Sequence, residues 1–86
     1  MQGRQLVGWN VRRLRVARGL SQERLAYDAG VDRSYLGGVE RGEENPTVDV
    51  LDRLAAQLGC RLSQLFLEPA DGAEPPMPLR PGRRSR

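Results

Sequence analysis

Apolar residues recur every three to four positions in four stretches of this chain, which is the spacing of one face of an α-helix. The first stretch predicts a helix from about Leu6 to Ala17, ended by Gly19. Two shorter helices follow, and a fourth opens at Pro46 and ends at Gly59. The positions predicted to face inward are Val7, Val11 and Leu14 in the first helix, Leu25, Ala26 and Ala29 in the second, Leu36 and Val39 in the third, and Leu51, Leu54, Ala55 and Leu58 in the fourth.

The starts and ends of these helices carry residues of the expected types. Ser21 and Asp32 precede the two short helices and Thr47 precedes the fourth, so each side chain can accept a hydrogen bond from the first helical turn. Gly30 lies between the short helices, where a helix ends in the left-handed conformation that glycine adopts without a Cβ penalty. The sequence therefore predicts two adjacent short helices joined by a tight turn.

The composition changes after Glu68. Five of the six prolines lie between positions 69 and 81, and four of the last seven residues are arginine. We predict a folded domain over 1–67, which includes a short fifth helix over about 62–67. A disordered tail rich in proline and arginine is predicted over 68–86.

The charge of the chain is modestly basic. All 14 basic residues are arginine, and against 11 acidic residues they give a net charge of +3. This surplus permits binding to nucleic acid without requiring it. The distribution is uneven, because residues 1–20 hold five arginines and no acid, whereas residues 43–53 hold four acids and one arginine. The length of 86 residues suits one small domain.

The chain lacks the residues that several classes of function require. The chain has no histidine and one cysteine, Cys60, which excludes an intrachain disulfide, a histidine-based catalytic dyad and a zinc site. We therefore expect no enzyme and no metal or other cofactor. Cys60 is either a small buried filler or a redox sensor. No stretch is apolar enough to span a membrane and no signal peptide is visible, so we expect a cytoplasmic protein with no membrane partner and no small-molecule substrate.

The segment QERLAYDAGVDRSYLGGVER at 22–41 resembles the helix-turn-helix of the lambda repressor and Cro type, the Xre-like family of bacterial and phage regulators. The resemblance extends from about Val7 to Phe66 and includes ARGLSQERLA before the turn, VERG after it, and NPT at the next helix start. It implies an all-α, five-helix, lambda-repressor-like DNA-binding domain in which helices 2 and 3 form the motif. An ordinary helical hairpin in a small bundle is the alternative.

The resemblance also implies an ion pair between Arg15 and Glu40 that ties the first helix to the third. Glu40 would then be a structural residue. The alternative is a Glu40 side chain that is simply solvated.

The outer face of the third helix is predicted to contact base edges in the major groove. With Leu36 and Val39 inward, Ser34, Gly38 and Arg41 point outward, flanked by Arg33 and Gly37. The resemblance makes Arg33 the leading base reader, because an arginine fork matches guanine O6 and N7; a phosphate contact or a solvated charge is the alternative. Ser34 is the second candidate. Gly37 and Gly38 are predicted to let the backbone approach DNA, although two glycines in an exposed helix cost about 1 kcal/mol each, and drift in a glycine-rich sequence explains them equally well.

Contacts to the phosphate backbone are predicted for a second group of residues. Gln22 opens the second helix, where amide N–H groups can point at phosphate. Glu43 and Glu44 oppose such contacts in the loop after the third helix, unless they point away or meet a partner's arginines. The full set of predicted phosphate contacts is Gln22, Tyr35, Asn45, Arg12, Arg13, Arg18 and Arg41.

The family usually binds two half-sites about one helical turn apart as a homodimer. We predict that the dimer interface is a dense apolar cluster at the end of the domain, with Trp9 as another candidate patch. The cluster consists of Leu62, Leu65, Phe66 and Leu67.

The segment AYDAGVDRSYLGGVERG particularly resembles the controller proteins of restriction-modification systems. A phage-type or other autoregulatory repressor and an antitoxin remain alternatives, and the last of these would be a protein-interaction module rather than a dedicated DNA binder. The predicted partners are double-stranded DNA and a second copy of the chain. The basic tail is either an auxiliary DNA arm or a solvated extension.

Overall fold

The computed structural model describes residues 1–73, and within this range the chain is all-α. Four α-helices follow one another, and a single 3₁₀-helix comes after them. Their bounds are α1 Gly3–Ala17, α2 Gln22–Ala29, α3 Arg33–Glu40, α4 Val48–Leu58 and the 3₁₀-helix Leu62–Phe66.

The prediction of five α-helices is wrong at the last element, which is a 3₁₀-helix of five residues. A segment of this length is too short to form several i to i−4 hydrogen bonds, so the tighter i to i−3 turn forms instead. The Gln64 N–H accordingly donates to the Arg61 carbonyl at 2.9 Å. The Gln64 side chain completes the turn by accepting from the Arg61 N–H at 2.8 Å.

The first helix begins three residues earlier than predicted, at Gly3 instead of Leu6. Residues 3–5 are exposed, so the apolar spacing that marks the rest of the helix does not extend to them. The Gln5 side chain accepts a hydrogen bond from the Gln2 N–H at 3.4 Å and closes this first turn.

The predicted caps are confirmed. Ser21 accepts from the Arg24 N–H at 3.0 Å, Asp32 from the Tyr35 N–H at 3.1 Å, and Thr47 from the Val50 N–H at 3.1 Å. Gly30 and Gly59 adopt the left-handed conformation after α2 and α4, with φ of 71° and 66°. Local sequence therefore specifies where α2, α3 and α4 begin.

The core lies between the four helices and is closed at one end by Leu65 of the 3₁₀-helix. The predicted inward residues are all buried, apart from Leu14, which is half-buried at the edge of the core. The most completely enclosed side chains are Leu25, Leu36, Leu54, Leu58, Leu65, Val11, Val39 and Asn10.

Helices α1 and α3 approach each other at Gly8, which the sequence analysis did not identify. A Cβ atom at Gly8 would lie 2.5 Å from the Val39 carbonyl oxygen and 2.7 Å from that of Glu40. Real Cβ atoms do not come so close to backbone oxygens, so the crossing requires glycine. The available signal was a glycine inside an otherwise regular helical pattern.

Residues 67–73 contain no helix, and the Ala73 N–H donates to the Ala70 carbonyl at 2.9 Å across a turn. Most of the predicted tail over 68–86 lies outside the described residues, so the domain boundary stays a prediction. Within residues 1–73, none of the helices combines the length and the apolar character needed to cross a membrane.

Candidate nucleic-acid interface

Helices α2 and α3 pack against each other across the turn at Gly30 and Val31. The Val31 N–H donates to the Ala26 carbonyl at 2.9 Å, which completes the end of α2. Ala26 and Ala29 are buried. The first two residues of α3, Arg33 and Ser34, are exposed, so the start of α3 presents two polar side chains to solvent.

A buried ion pair connects α1 to the end of α3. Arg15 Nε lies 2.6 Å from Glu40 Oε2, and Arg15 Nη2 donates to Glu40 Oε1 at 3.0 Å. The two side chains are only 7% and 3% exposed. The remaining guanidinium nitrogen, Nη1, donates to the Leu20 carbonyl at 2.8 Å. The ion pair that the family resemblance implies is therefore present, with both charges hydrogen-bonded.

Gln22 belongs to the same hydrogen-bond network. Its side-chain amide donates to Glu40 Oε1 at 3.0 Å, so the first residue of α2 is held against the last residue of α3. From its sequence position Gln22 was predicted to contact the phosphate backbone, and this bond between residues 18 positions apart was not predicted. The contact fixes the relative position of α2 and α3, while the predicted phosphate contact stays a prediction.

The expectation that Gly37 and Gly38 lie on an exposed face of α3 is wrong, since both are buried. Both glycines are covered by side chains that come from outside α3. A Cβ at Gly37 would meet Arg41 Nη1 at 3.2 Å and Gln22 Oε1 at 3.8 Å, and one at Gly38 would meet Glu44 Cγ at 2.7 Å. Sequence periodicity could not show this, because the covering side chains come from the start of α2 and from residues after Glu40.

The loop after α3 contains an exposed ion pair and a half-buried acid. Arg41 Nε lies 3.1 Å from Glu43 Oε1, and both side chains are largely exposed. Glu44 folds back over α3, whereas Asn45 is exposed. The two acids of this loop therefore have different surroundings.

Three arginines in or just after α1 were predicted to contact phosphate, and two of them, Arg13 and Arg18, lie beside the turn that follows α4. Arg18 Nη2 is 2.8 Å from the position of a Cβ at Gly59. Burial raises the pKa of the Cys60 thiol, and the positive charges of Arg18 and Arg13 oppose that rise. Arg12 is half-buried. Cys60 packs against the core as a partly buried residue, in agreement with its interpretation as a filler.

Asn10 is a buried polar residue that the sequence analysis missed. Its Nδ2 lies 3.0 Å from the Leu6 carbonyl oxygen, 3.0 Å from that of Leu65 and 2.8 Å from that of Leu67. Arg13 Nη2 donates to its Oδ1 at 3.2 Å. Asn10 thus ties α1 to the backbone of the 3₁₀-helix and of the residue after it.

The predicted dimer cluster divides into inward and outward residues. Leu65 is completely buried and cannot form an interface, and Leu62 packs against the same core. In a 3₁₀-helix, residues three apart lie on one face, which places Leu62 and Leu65 inward together. Phe66 and Leu67 are 45% and 52% exposed, so they are the members of the cluster that a second chain can reach. Trp9 is half-buried, and so is Tyr35, which packs on the core.

Comparisons with known proteins agree with this geometry. A helix-turn-helix family model, HTH_3, matches residues 11–65. The chain is 48% identical over 59 residues to the HTH-type transcriptional regulator y4dJ of Sinorhizobium fredii, covering 69% of this chain and 77% of that protein. It is 40% identical over 68 residues to a hypothetical transcription factor of Neisseria meningitidis, covering 79% of this chain and 64% of that one.

Among solved structures, the restriction-modification controller protein C.AhdI from Aeromonas hydrophila superposes with a TM-score of 0.71 at 46% identity. The match covers 73% of this chain and 96% of C.AhdI. These proteins are regulators rather than enzymes, as the sequence analysis predicted for this chain. The chain belongs to the helix-turn-helix family of DNA-binding transcription regulators of the Xre (Cro/C1) type.

Proposed function

We propose that this protein regulates transcription by binding an inverted-repeat operator in double-stranded DNA as a homodimer, with α3 in the major groove. The observation that carries the proposal is the exposed start of α3, which presents Arg33 and Ser34 beside the α2 turn. In helix-turn-helix proteins the N-terminal residues of the second helix of the motif contact base edges. Arg33 is the proposed reader of a guanine, and Ser34 is a second base contact.

The proposed phosphate contacts surround this helix. Gln22 lies at the start of α2, where free backbone N–H groups attract anions. Arg41, Asn45 and the half-buried Tyr35 lie on α3 or just after it. Arg12, Arg13 and Arg18 are also proposed phosphate contacts. This proposal has less support for Arg13 and Arg18, because their positions near the Gly59–Cys60 turn support a structural role.

The proposed dimer uses Phe66 and Leu67. Both are large apolar side chains exposed at the end of the domain, and an exposed apolar patch on a small protein often marks an interaction surface. Two copies joined there would present two α3 helices to two half-sites of an inverted repeat.

Similarity to a restriction-modification controller protein favours the same class of regulator for this chain. The same exposed pair, Phe66 and Leu67, supports the second candidate, in which the domain docks to a different protein, as an antitoxin does. The two candidates differ in whether the chain binds duplex DNA by itself.

Salt-dependent binding tests this difference. The affinity of the purified protein for a non-specific duplex should fall steeply as salt rises, since each neutralised phosphate releases counterions. Selection of bound sequences from a random duplex pool should then recover an inverted repeat. No binding even at low salt would contradict the proposal and favour the protein-docking alternative.

A further inference from the structure

Ser34, Gly38 and Arg41 form one ridge along α3, because positions four and seven residues apart lie on the same side of a helix. Ser34 and Arg41 are exposed, yet Gly38 between them is buried. The ridge therefore faces outward, and another side chain covers its middle.

That side chain is Glu44. The three atoms nearest to a Cβ built at Gly38 are Glu44 Cγ at 2.7 Å, Oε2 at 3.0 Å and Cδ at 3.4 Å. The absence of a side chain at Gly38 leaves the room that the Glu44 carboxylate occupies. The carboxylate takes the place along the ridge where a polar side chain of α3 itself would otherwise lie.

The chemistry of a carboxylate at this place is restrictive. An ionised carboxylate only accepts hydrogen bonds. In the major groove, cytosine presents the N4 amino donor, whereas guanine presents the acceptors N7 and O6 and thymine presents the acceptor O4. Adenine presents a donor with an acceptor beside it. A carboxylate therefore accepts from cytosine and is repelled by guanine.

We propose that Glu44 is a specificity-determining residue that selects cytosine at one position of each half-site by accepting a hydrogen bond from its N4 amino group. This inference rests on the proposed function, because it requires α3 to lie in the major groove. Gly37 and Gly38 have no side chains that could contact a base, and Glu44 of the following loop would make such a contact in their place.

Glu43 provides the matched control. It carries the same charge one residue away, but it pairs with Arg41 in solvent and does not lie over α3. Removing either acid should raise the affinity for any duplex, because each opposes the phosphate charge, and removal of Glu43 also frees Arg41. Only removal of Glu44 changes which bases are selected.

The experiment is selection from a random duplex pool with the wild-type chain and with Glu44→Ala, Glu44→Gln and Glu43→Ala, followed by affinity measurements on the recovered sites. The wild type should enrich cytosine at one position per half-site and lose about tenfold in affinity when guanine replaces it. Glu44→Ala should accept any base there. Glu44→Gln should shift the preference to adenine, whose N6 and N7 match a glutamine amide.

Gly38→Ala tests the placement of the carboxylate without removing it. The added methyl group would lie 2.7 Å from Glu44 Cγ and must displace that side chain. The variant should therefore lose the cytosine preference as Glu44→Ala does, while keeping the charge of the wild type.

Two results would overturn this inference but not the proposed function. In the first, Glu44→Ala selects the same operator as the wild type, with the same base preferences. In the second, Glu43→Ala also loses the preference for cytosine at the position where the wild type selects it. A wild-type chain that selects no sequence at all would instead overturn the proposed function, and this inference with it.

Discussion

The Arg15 guanidinium and the Glu40 carboxylate form a bidentate ion pair between α1 and α3, with Nε–Oε2 and Nη2–Oε1 distances of 2.6 and 3.0 Å. Arg15 also binds the Leu20 carbonyl, and Glu40 also accepts from Gln22. The pair thus joins α1, the segment before α2, and both helices of the motif. The pair therefore fixes the position of α3 relative to α1 and α2.

Removing one partner of this pair should strongly destabilise the fold. Glu40→Ala leaves the Arg15 charge buried without its counter-ion, which costs about 3–5 kcal/mol. The melting temperature measured by circular dichroism should fall by more than about 10 °C in a domain of this size.

Glu43→Ala is the matched control, since it removes an exposed ion pair worth about 0–1 kcal/mol. Similar melting temperatures for the two variants would contradict the structural role of Glu40.

Gly8→Ala should destabilise the protein although alanine is the better helix former. The added methyl group would overlap the carbonyl oxygens of Val39 and Glu40, so α1 and α3 must separate. Overpacking of this kind costs about 1–3 kcal/mol.

Gly3→Ala serves as the control because a Cβ at that position meets no atom within 4 Å. Urea unfolding of both variants measures the difference. A Gly8→Ala chain as stable as Gly3→Ala would show that the two helices do not approach as closely as described.

Arg33→Ala should relax one base position in each half-site. Loss of a bidentate contact to guanine removes about 1–3 kcal/mol of discrimination, and selection from a random duplex pool detects it. Arg24→Ala is the control of equal charge, since Arg24 lies on α2 and pairs with Asp28 at 2.8 Å. If the two variants select the same sequences as the wild type, Arg33 contacts phosphate or solvent and not a base.

Replacing the exposed apolar pair by serine should produce a folded monomer. Phe66→Ser with Leu67→Ser removes apolar surface from the proposed interface without touching the buried Leu65. Sedimentation measures the oligomeric state, and a melting curve verifies the fold. Val48→Ser is the control, because Val48, at 62% exposed, is an even more exposed apolar residue at the start of α4. A double variant that remains dimeric would contradict the proposed interface.

The candidate site could be predicted only in part. The exposure of Arg33 and Ser34 was predicted correctly from helical spacing, whereas their contacts with bases stay a prediction. The Arg15–Glu40 pair was expected from the family resemblance and not from the charges themselves. Gln22 was expected at the phosphate backbone, but its bond to Glu40 depends on how α2 and α3 pack.

By itself the sequence determined the four α-helices, the caps of α2, α3 and α4 and the tight turn at Gly30, because these features depend on interactions among residues a few positions apart. Only the tertiary structure decided the contacts of Gly8, Asn10 and Gly38, and the inward position of Leu65. Each of these depends on atoms that packing brings together from another element, and helical periodicity contains no information about such neighbours. The outer surface of α3 is therefore formed partly by its own residues and partly by Gln22, Arg41 and Glu44, which the fold places over its two glycines.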